Sequence, residues 1–538
     1  MKKFFFLSLG ALVIFFALVL PNHSGMLKLS SLNRWPLELP VLLLCMIAFG
    51  RRAWVVWALA LVLVVVTFMK LADIGMFAAY NRTFNPILDA SLINAGISLL
   101  SDSIGTPLTY LLIAGVIVAM VLWLFALVHS LRVWAGLEMP NVARIGAVIG
   151  AFGFGGWAVA DAGHHLEFWK FERSPHGTAW TSRLAFKRAA AMRATAIDLA
   201  QFSEAAQNDI YADATNLMDG LDGHDVILIY IESYGRASFD NALYAPTHMA
   251  TLESYEPAIA DAGFAMRSGW LTSPTAGGQS WLAHGSLASG LWTSDNGRYT
   301  AMLASGHKWL FHFAQDAGYR TATVMPAITM AWPESSKMGF ELVIPATEIP
   351  YKGERFNWVT MPDQFTLATY PSLLPDDPRP DFLQIALISS HAPWVPVPDM
   401  VAWEGVGDGT IFNEMAARGP TPRELWKNRD DIREAYRKAV DYSLNATLSH
   451  VARLGDQAPL VFIIGDHQAA GFVAGSDNMD VPVHMIGPPG LVALIESWGW
   501  SEGLIPQPDG PVRRMDSFRN DFIDAFSGGT QVVEVQDE

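Results

Sequence analysis

The chain has 538 residues, 51% of them hydrophobic, with positive mean hydropathy, a formal net charge of −16 and a single cysteine, Cys45. Such length and apolar content exceed one water-soluble domain and indicate a membrane part joined to a globular part. The acidic balance argues against nucleic acid as a partner and against a polybasic lipid-surface patch, and one cysteine excludes a disulfide framework.

In chain order, the windows Phe4–Leu20, Pro40–Gly50, Trp54–Met69, Leu108–His129 and Val142–Val159 are apolar and nearly uncharged. About 20 such residues cross a bilayer, so five spans are expected, the second reaching that length only if it starts near Trp35. With the start of the chain inside, Lys2, Lys3, Arg51, Arg52, Arg132 and Arg144 fall on the cytoplasmic side, against Lys28, Arg34, Lys70 and Arg82 outside. Five crossings put everything beyond about residue 160 outside. Asp73, Arg82, Asp89 and Asp102 interrupt residues 72–105, which read as a surface helix pair rather than a span.

Residues 161–222 form a connector, with Trp180–Asp219 patterned as an amphipathic helix suited to pack on the globular domain or on lipid. Residues 223–538 form that domain. Strand-like runs (VILIYI, YRTATVM, DFLQIALIS, PLVFIIG, VPVHMIG) alternate with helical stretches, among them 249–262, 308–317 and 429–454. The fold class expected is therefore a multi-span helical membrane domain followed by an α/β domain with a mostly parallel central sheet.

Two of the runs end in chemistry. DVILIYIESYGR delivers Glu232, and PLVFIIGDHQ delivers Asp466 and His467, both just past a strand where α/β sheets place ligands. Glu, Asp and His together suit a divalent metal. Between them SPTAGGQSWLAHGSLASG brings small residues and glycines to Ser280 at the start of a helical pattern, where backbone N–H groups favour an anion or an ionised hydroxyl. The plain alternative is a helix-capping serine.

From Asp225 to Pro488 these pieces, in order, resemble the alkaline-phosphatase/sulfatase superfamily, specifically its membrane-anchored branch of lipoteichoic acid synthases, phosphoglycerol transferases and phosphoethanolamine transferases. FNWVTMPDQF, ALISSHAPW and EAYRKAVDYSLNATLSHV complete the set. The resemblance implies an alkaline-phosphatase-like fold. It also implies one divalent cation (Mn²⁺, Zn²⁺ or Mg²⁺) on Glu232, Ser280, Asp466 and His467, with Ser280 also the nucleophile where relatives commonly have threonine. His391 of SSHAPW then binds a phosphate oxygen or protonates the leaving group. Trp332, Trp394, His284 and His484 are weaker candidates for substrate contact; His484, alternating within a strand, also fits a core residue.

Two departures limit the substrate. Ala331-Trp332-Pro333-Glu334 stands where several relatives have an aromatic-Asn-Arg cluster, and the Cys-x-Pro-x-Arg stretch of a formylglycine sulfatase is missing at Ser280. A second metal's ligands are not evident near Leu387–His391. The expected activity is transfer of a phospholipid headgroup, phosphoglycerol or phosphoethanolamine, to an envelope glycan or lipid through a covalent serine intermediate. The expected location is a bacterial inner (cell) membrane with the catalytic domain outside. A phosphodiester, phosphomonoester or sulfate-ester hydrolase on the same scaffold is the second reading, and a catalytically silent membrane scaffold the third.

Overall fold

The computed structural model describes residues 2–23, 26, 35–80, 83–89, 93, 96–97, 100–101, 105–173, 176–212, 214–330, 332–455 and 458–528. Lys28, Arg34, Arg82, Asp102 and Ala331, used above, lie outside them. The chain divides into two compact units, Met1–Ala200 and Gln201–Glu538.

The first unit is helical: α1 (Lys2–Val19), α2 (Glu38–Phe49), α3 (Ala53–Tyr80), α4 (Thr106–Ala135), α5 (Asn141–His165) and α6 (Trp180–Ala205), whose last residues pass into the second unit. Four of them, α1, α3, α4 and α5, are long and apolar enough to cross a membrane. At the second expected span, α2 has 12 residues, about 18 Å at 1.5 Å per residue, against a hydrocarbon layer of about 30 Å. Even so, Arg51 just beyond α2 lines the same pocket as Lys3, so the short helix returns the chain to the end from which α1 sets out. Ile14, Met46, Val56, Ala60, Leu63 and Leu127 interlock as the bundle's apolar centre. Val142, Phe152 and Leu111 lie 81%, 77% and 67% exposed, the pattern of helices that face lipid on one side.

Residues 72–80 belong to α3 and are no separate surface helix. Asp73 does not break it, because the carboxylate is buried among donors: the Asn22 amide at 2.9 Å, the Phe84 N–H at 2.9 Å and the Arg188 guanidinium. One turn earlier, the buried Lys70 Nζ donates to the carbonyls of Ala17 (3.1 Å) and Leu18 (2.8 Å) and to Thr181 Oγ1 (2.9 Å). It thus satisfies acceptors that the last turn of α1 leaves without helical partners.

The second unit is built on a nine-stranded sheet: β1 (Val226–Ile231), β2 (Ala265–Thr272), β3 (Arg320–Met325), β4 (Leu342–Pro345), β5 (Asp381–Ala386), β6 (Leu460–Gly465), β7 (Asp480–Gly487), β8 (Ser501–Glu502) and β9 (Val512–Arg514). The order is β4-β3-β5-β1-β6-β7-β2-β8, with β9 beside β2. Strands β4 to β6 pair in parallel, whereas β7 runs antiparallel to both β6 and β2. Reversal at β7 restores β2 to the direction of β6, so both end at the same edge of the sheet.

All six residues of β1 are buried, which explains its unbroken apolar run. Ile227, Ile229 and Ile231 pack on one face with α7 (Ala245–Asp261) and α10 (Arg429–Val451), through residues such as Leu252, Tyr436 and Leu444. Val226, Leu228 and Tyr230 pack on the other with α8 (Ser280–Ser289) and α11 (Phe518–Phe526), through Leu287, Phe518 and Phe522. A further helix, α9 (Asp363–Leu373), packs beside α10.

Candidate metal and nucleophile site

Three neighbouring strands, β5, β1 and β6, end side by side, and each continues into a polar turn. Beyond β1, Glu232 is followed by Ser233 in the left-handed region (φ 60°), which turns the backbone sharply. Beyond β6 come Asp466 and His467. Ligand atoms of Glu232, Asp466 and His467 lie within 4.8 Å of one another. Ser280 arrives from the end of β2 through a turn of positive φ at Gly277, Gly278 and Gln279, and stands as the first residue of α8. That turn is tied to the β6 end, because Gly277 N–H donates to the Gln468 carbonyl at 2.7 Å. Ser280 Oγ in turn donates to Glu232 Oε2 at 2.8 Å.

The cluster is held from behind by backbone contacts. Asp466 Oδ1 accepts from the N–H groups of Ser233 (2.8 Å) and His467 (2.6 Å). Tyr436 OH donates to the Ser233 carbonyl at 2.9 Å and Ser390 Oγ to that of Glu232 at 2.6 Å. Gly235 is needed here: a Cβ on it would stand 2.0 Å from Gln468 Oε1.

Charge balance shows what the trio lacks. His467 Nδ1 contacts the Gln468 carbonyl at 3.0 Å and therefore carries its hydrogen there, so Nε2 of the neutral ring turns a lone pair towards Glu232 Oε1 at 3.1 Å and Asp466 Oδ2 at 3.8 Å. Nε2 is buried and makes no hydrogen bond. Acceptors facing acceptors in a buried site call for a proton or a cation between them. With protons alone, burial pushes the Asp466 carboxyl well up, with the Glu232 charge adding to it. Burial also opposes charge on His467, but Asp466 and Glu232 outweigh it and raise the imidazole to about 9. Glu232 is raised by burial too, yet the nearby His467 charge, with His391 helping, holds it well below the usual carboxylate range. Two carboxylates, an imidazole and a hydroxyl make a fitting oxygen and nitrogen set for Zn²⁺ or Mn²⁺.

His391 lies exposed in the turn after β5, with Nδ1 2.5 Å from the Ala392 carbonyl. The turn is shaped by Asp363, a fully buried carboxylate of α9 that carried no role in the sequence. Its Oδ1 accepts from the N–H groups of Ile388 (2.9 Å) and Ser389 (2.8 Å), and its Oδ2 from Ser443 at 2.6 Å. Burial raises its pKa against those donors. The sequence signal for it was the FNWVTMPDQF segment, which carries this aspartate in the resemblance.

Other candidates fall in different places. His284, one turn into α8, stacks on Tyr230 with ring centroids 3.9 Å apart. Burial lowers its pKa to about 4, with Glu232 and His467 close enough to act on it, which places the ring beside the cluster. His484 lies in the core: its Nδ1 meets Ser268 Oγ at 2.8 Å and its Nε2 meets Tyr234 OH at 3.1 Å, in the middle of the sheet. Trp394 likewise presents no face to a ligand, being 4% exposed, stacked on Trp426 and hydrogen-bonded to the Ser390 carbonyl at 2.7 Å. Trp332 is half-buried against Phe340.

No protein-family model and no curated protein matches the chain. Among solved structures it is similar to the lipoteichoic acid synthase LtaP from Listeria monocytogenes, with 13% identity over 59% of this chain and 75% of that one and a TM-score of 0.37. It is also similar to the C-terminal periplasmic domain of the phosphoethanolamine transferase EptC from Campylobacter jejuni (12%, 60% and 94%, TM-score 0.39). A third is the Streptococcus pyogenes phosphoglycerol transferase GacH in complex with sn-glycerol-1-phosphate (13%, 62% and 81%, TM-score 0.38).

Proposed function

We propose that the chain is a membrane-anchored phosphotransferase that moves a phospholipid headgroup, phosphoglycerol or phosphoethanolamine, to a hydroxyl of an envelope glycan or lipid. The observation that carries this reading is the Ser280 hydroxyl donating to Glu232 beside Asp466 and His467. Membrane-crossing helices in the same chain support a lipid donor, because they keep the site near its substrate. The Lys and Arg distribution, with α2 returning to the α1 end, supports a catalytic unit outside a bacterial cell membrane.

Glu232, Asp466, His467 and Ser280 would hold one divalent cation. When bound it lowers the proton affinity of the serine oxygen and offsets charge on the phosphoryl group. Glu232 accepts the Ser280 proton as Oγ attacks phosphorus; a Ser–O–P bond forms while the P–O bond to diacylglycerol breaks. His391 gives the departing alkoxide its proton. An acceptor hydroxyl then attacks phosphorus and loses its proton to His391, the Ser–O–P bond breaks, and Ser280 regains its hydrogen from Glu232.

The experiment supplies headgroup-labelled phospholipid, Mn²⁺ or Zn²⁺ and an envelope glycan to the purified full chain. Diacylglycerol release with label on the glycan supports transfer. Label found only as free headgroup phosphate assigns a hydrolase, and no release with either metal, or equal release by Ser280→Ala, overturns the mechanism.

A further inference from the structure

A second pocket, unused by the chemistry above, lies at the end of the helical bundle where α1 begins and α4 finishes. Its volume is about 310 Å³, and Lys3, Arg51, His129 and Arg132 line it beside apolar walls that include Phe6 and Leu137. The cations come from three separate stretches of a chain whose net charge is −16, and among the described residues no carboxylate lines the pocket. Among the described residues, Lys3, Arg51 and Arg132 make no ion pair; Arg132 lies over the Trp57 ring at 5.8 Å. Nor does Arg51 extend away: a Cβ on Gly136 would stand 3.5 Å from its Nη2, so the guanidinium folds back over the end of α4.

Convergent like charges repel unless an anion joins them. The same end of the bundle exposes Phe4, Phe5 and Trp54 by 76%, 62% and 70%, the aromatic girdle of a membrane–water boundary. An occupant must therefore combine a compact anionic group with hydrocarbon at interfacial depth. Guanidinium forks match phosphate oxygens, and clefts of this kind between membrane helices suit anionic headgroups. We propose that this pocket binds the phosphate of an anionic glycerophospholipid in the leaflet at the α1 end of the bundle, with lipid chains against Phe6 and Leu137. This is a different position from Ser280 and independent of the reaction assigned there.

The test uses the full chain in neutral detergent, with native mass spectrometry to count retained lipid. Dioleoylphosphatidylglycerol should be retained over dioleoylphosphatidylcholine, and R51Q/R132Q should weaken its retention on the order of tenfold. R52Q/R144Q, outside the pocket, should leave it unchanged. Equal retention of the two lipids, or unaltered retention by R51Q/R132Q, overturns the proposal. Displacement by millimolar inorganic phosphate as effective as by the lipid itself assigns a free-anion site and overturns it too. Should R51Q/R132Q fail to fold, a phosphatidylglycerol carrying a photoreactive group near its headgroup decides the matter on the unaltered chain. Adducts at residues 3–7 and 129–137 support the site; adducts confined to other segments exclude it.

Discussion

Ser280 and Glu232, 48 positions apart, meet at 2.8 Å through a hydroxyl-to-carboxylate hydrogen bond. That contact joins the glycine turn to the end of β1 and gives the serine proton a defined destination.

Replacing Ser280 by alanine should therefore remove transfer, by on the order of 10³-fold or more, while the melting temperature stays within a few degrees. Threonine keeps the hydroxyl and should retain measurable turnover. Headgroup transfer assays alongside thermal melting check both; an active Ser280→Ala chain would take the serine out of the reaction.

Metal binding should depend on the trio jointly. Glu232→Gln, Asp466→Asn and His467→Gln each remove one charged or imidazole ligand, and each should reduce bound Zn²⁺ or Mn²⁺ from about one per chain to well below half. Elemental analysis after dialysis reads this without relying on activity. A chelator should abolish turnover, with recovery on adding the ion back.

Asp363→Ala should destabilise the second unit by about 3 kcal/mol, because it strips three buried donors of their acceptor. It should also loosen the Ile388–His391 turn. Denaturant unfolding gives the first effect. The second appears as a lower kcat in those molecules that remain folded, and Asp363→Asn should restore part of each.

His248, His450 and His484 are all lowered by burial, to about 4, about 4 and about 3. Between those values and the ordinary 6.5 the unfolded chain binds protons that the folded chain refuses. Their contribution to stability is complete above pH 6.5 and is lost as pH falls towards 4. Melting the protein from pH 7.5 down to 4.5 should show this decline, and His484→Asn should make it shallower. An unchanged slope in that variant would mean that His484 takes up its proton in the folded sheet.

Lys70→Met should cost the helical unit about 2 kcal/mol, since the α1 carbonyls of Ala17 and Leu18 lose their donor where water is scarce. Thermal melting in detergent measures it. An unshifted midpoint would show that those carbonyls find other donors.

Strands buried on both faces were legible because nothing interrupts their apolar runs, and each ended where a polar pair began: β1 at Glu232 and Ser233, β6 at Asp466 and His467. Strand β2 was not, since Arg267, Ser268 and Gly269 dilute its pattern. Only the folded sheet shows Ser268 Oγ bonded to His484 and to the Gly503 carbonyl. Asp73 was misread for the same reason: a charge in a helix looks like a break until Asn22 and Arg188 are seen around it. Asp363 stood out only as the aspartate of FNWVTMPDQF, because its role lies in the turn it holds, 25 positions away.

The middle of the sheet sets β1 between β5 and β6, although more than two hundred residues separate β1 from β6 in the chain. A polypeptide emerging from the ribosome therefore lacks the Glu232–Asp466–His467 cluster until residue 467 has been made and its strand slotted in. Any chain that ends short of that point keeps Glu232 and Ser280 but has neither of their two partners from the β6 end.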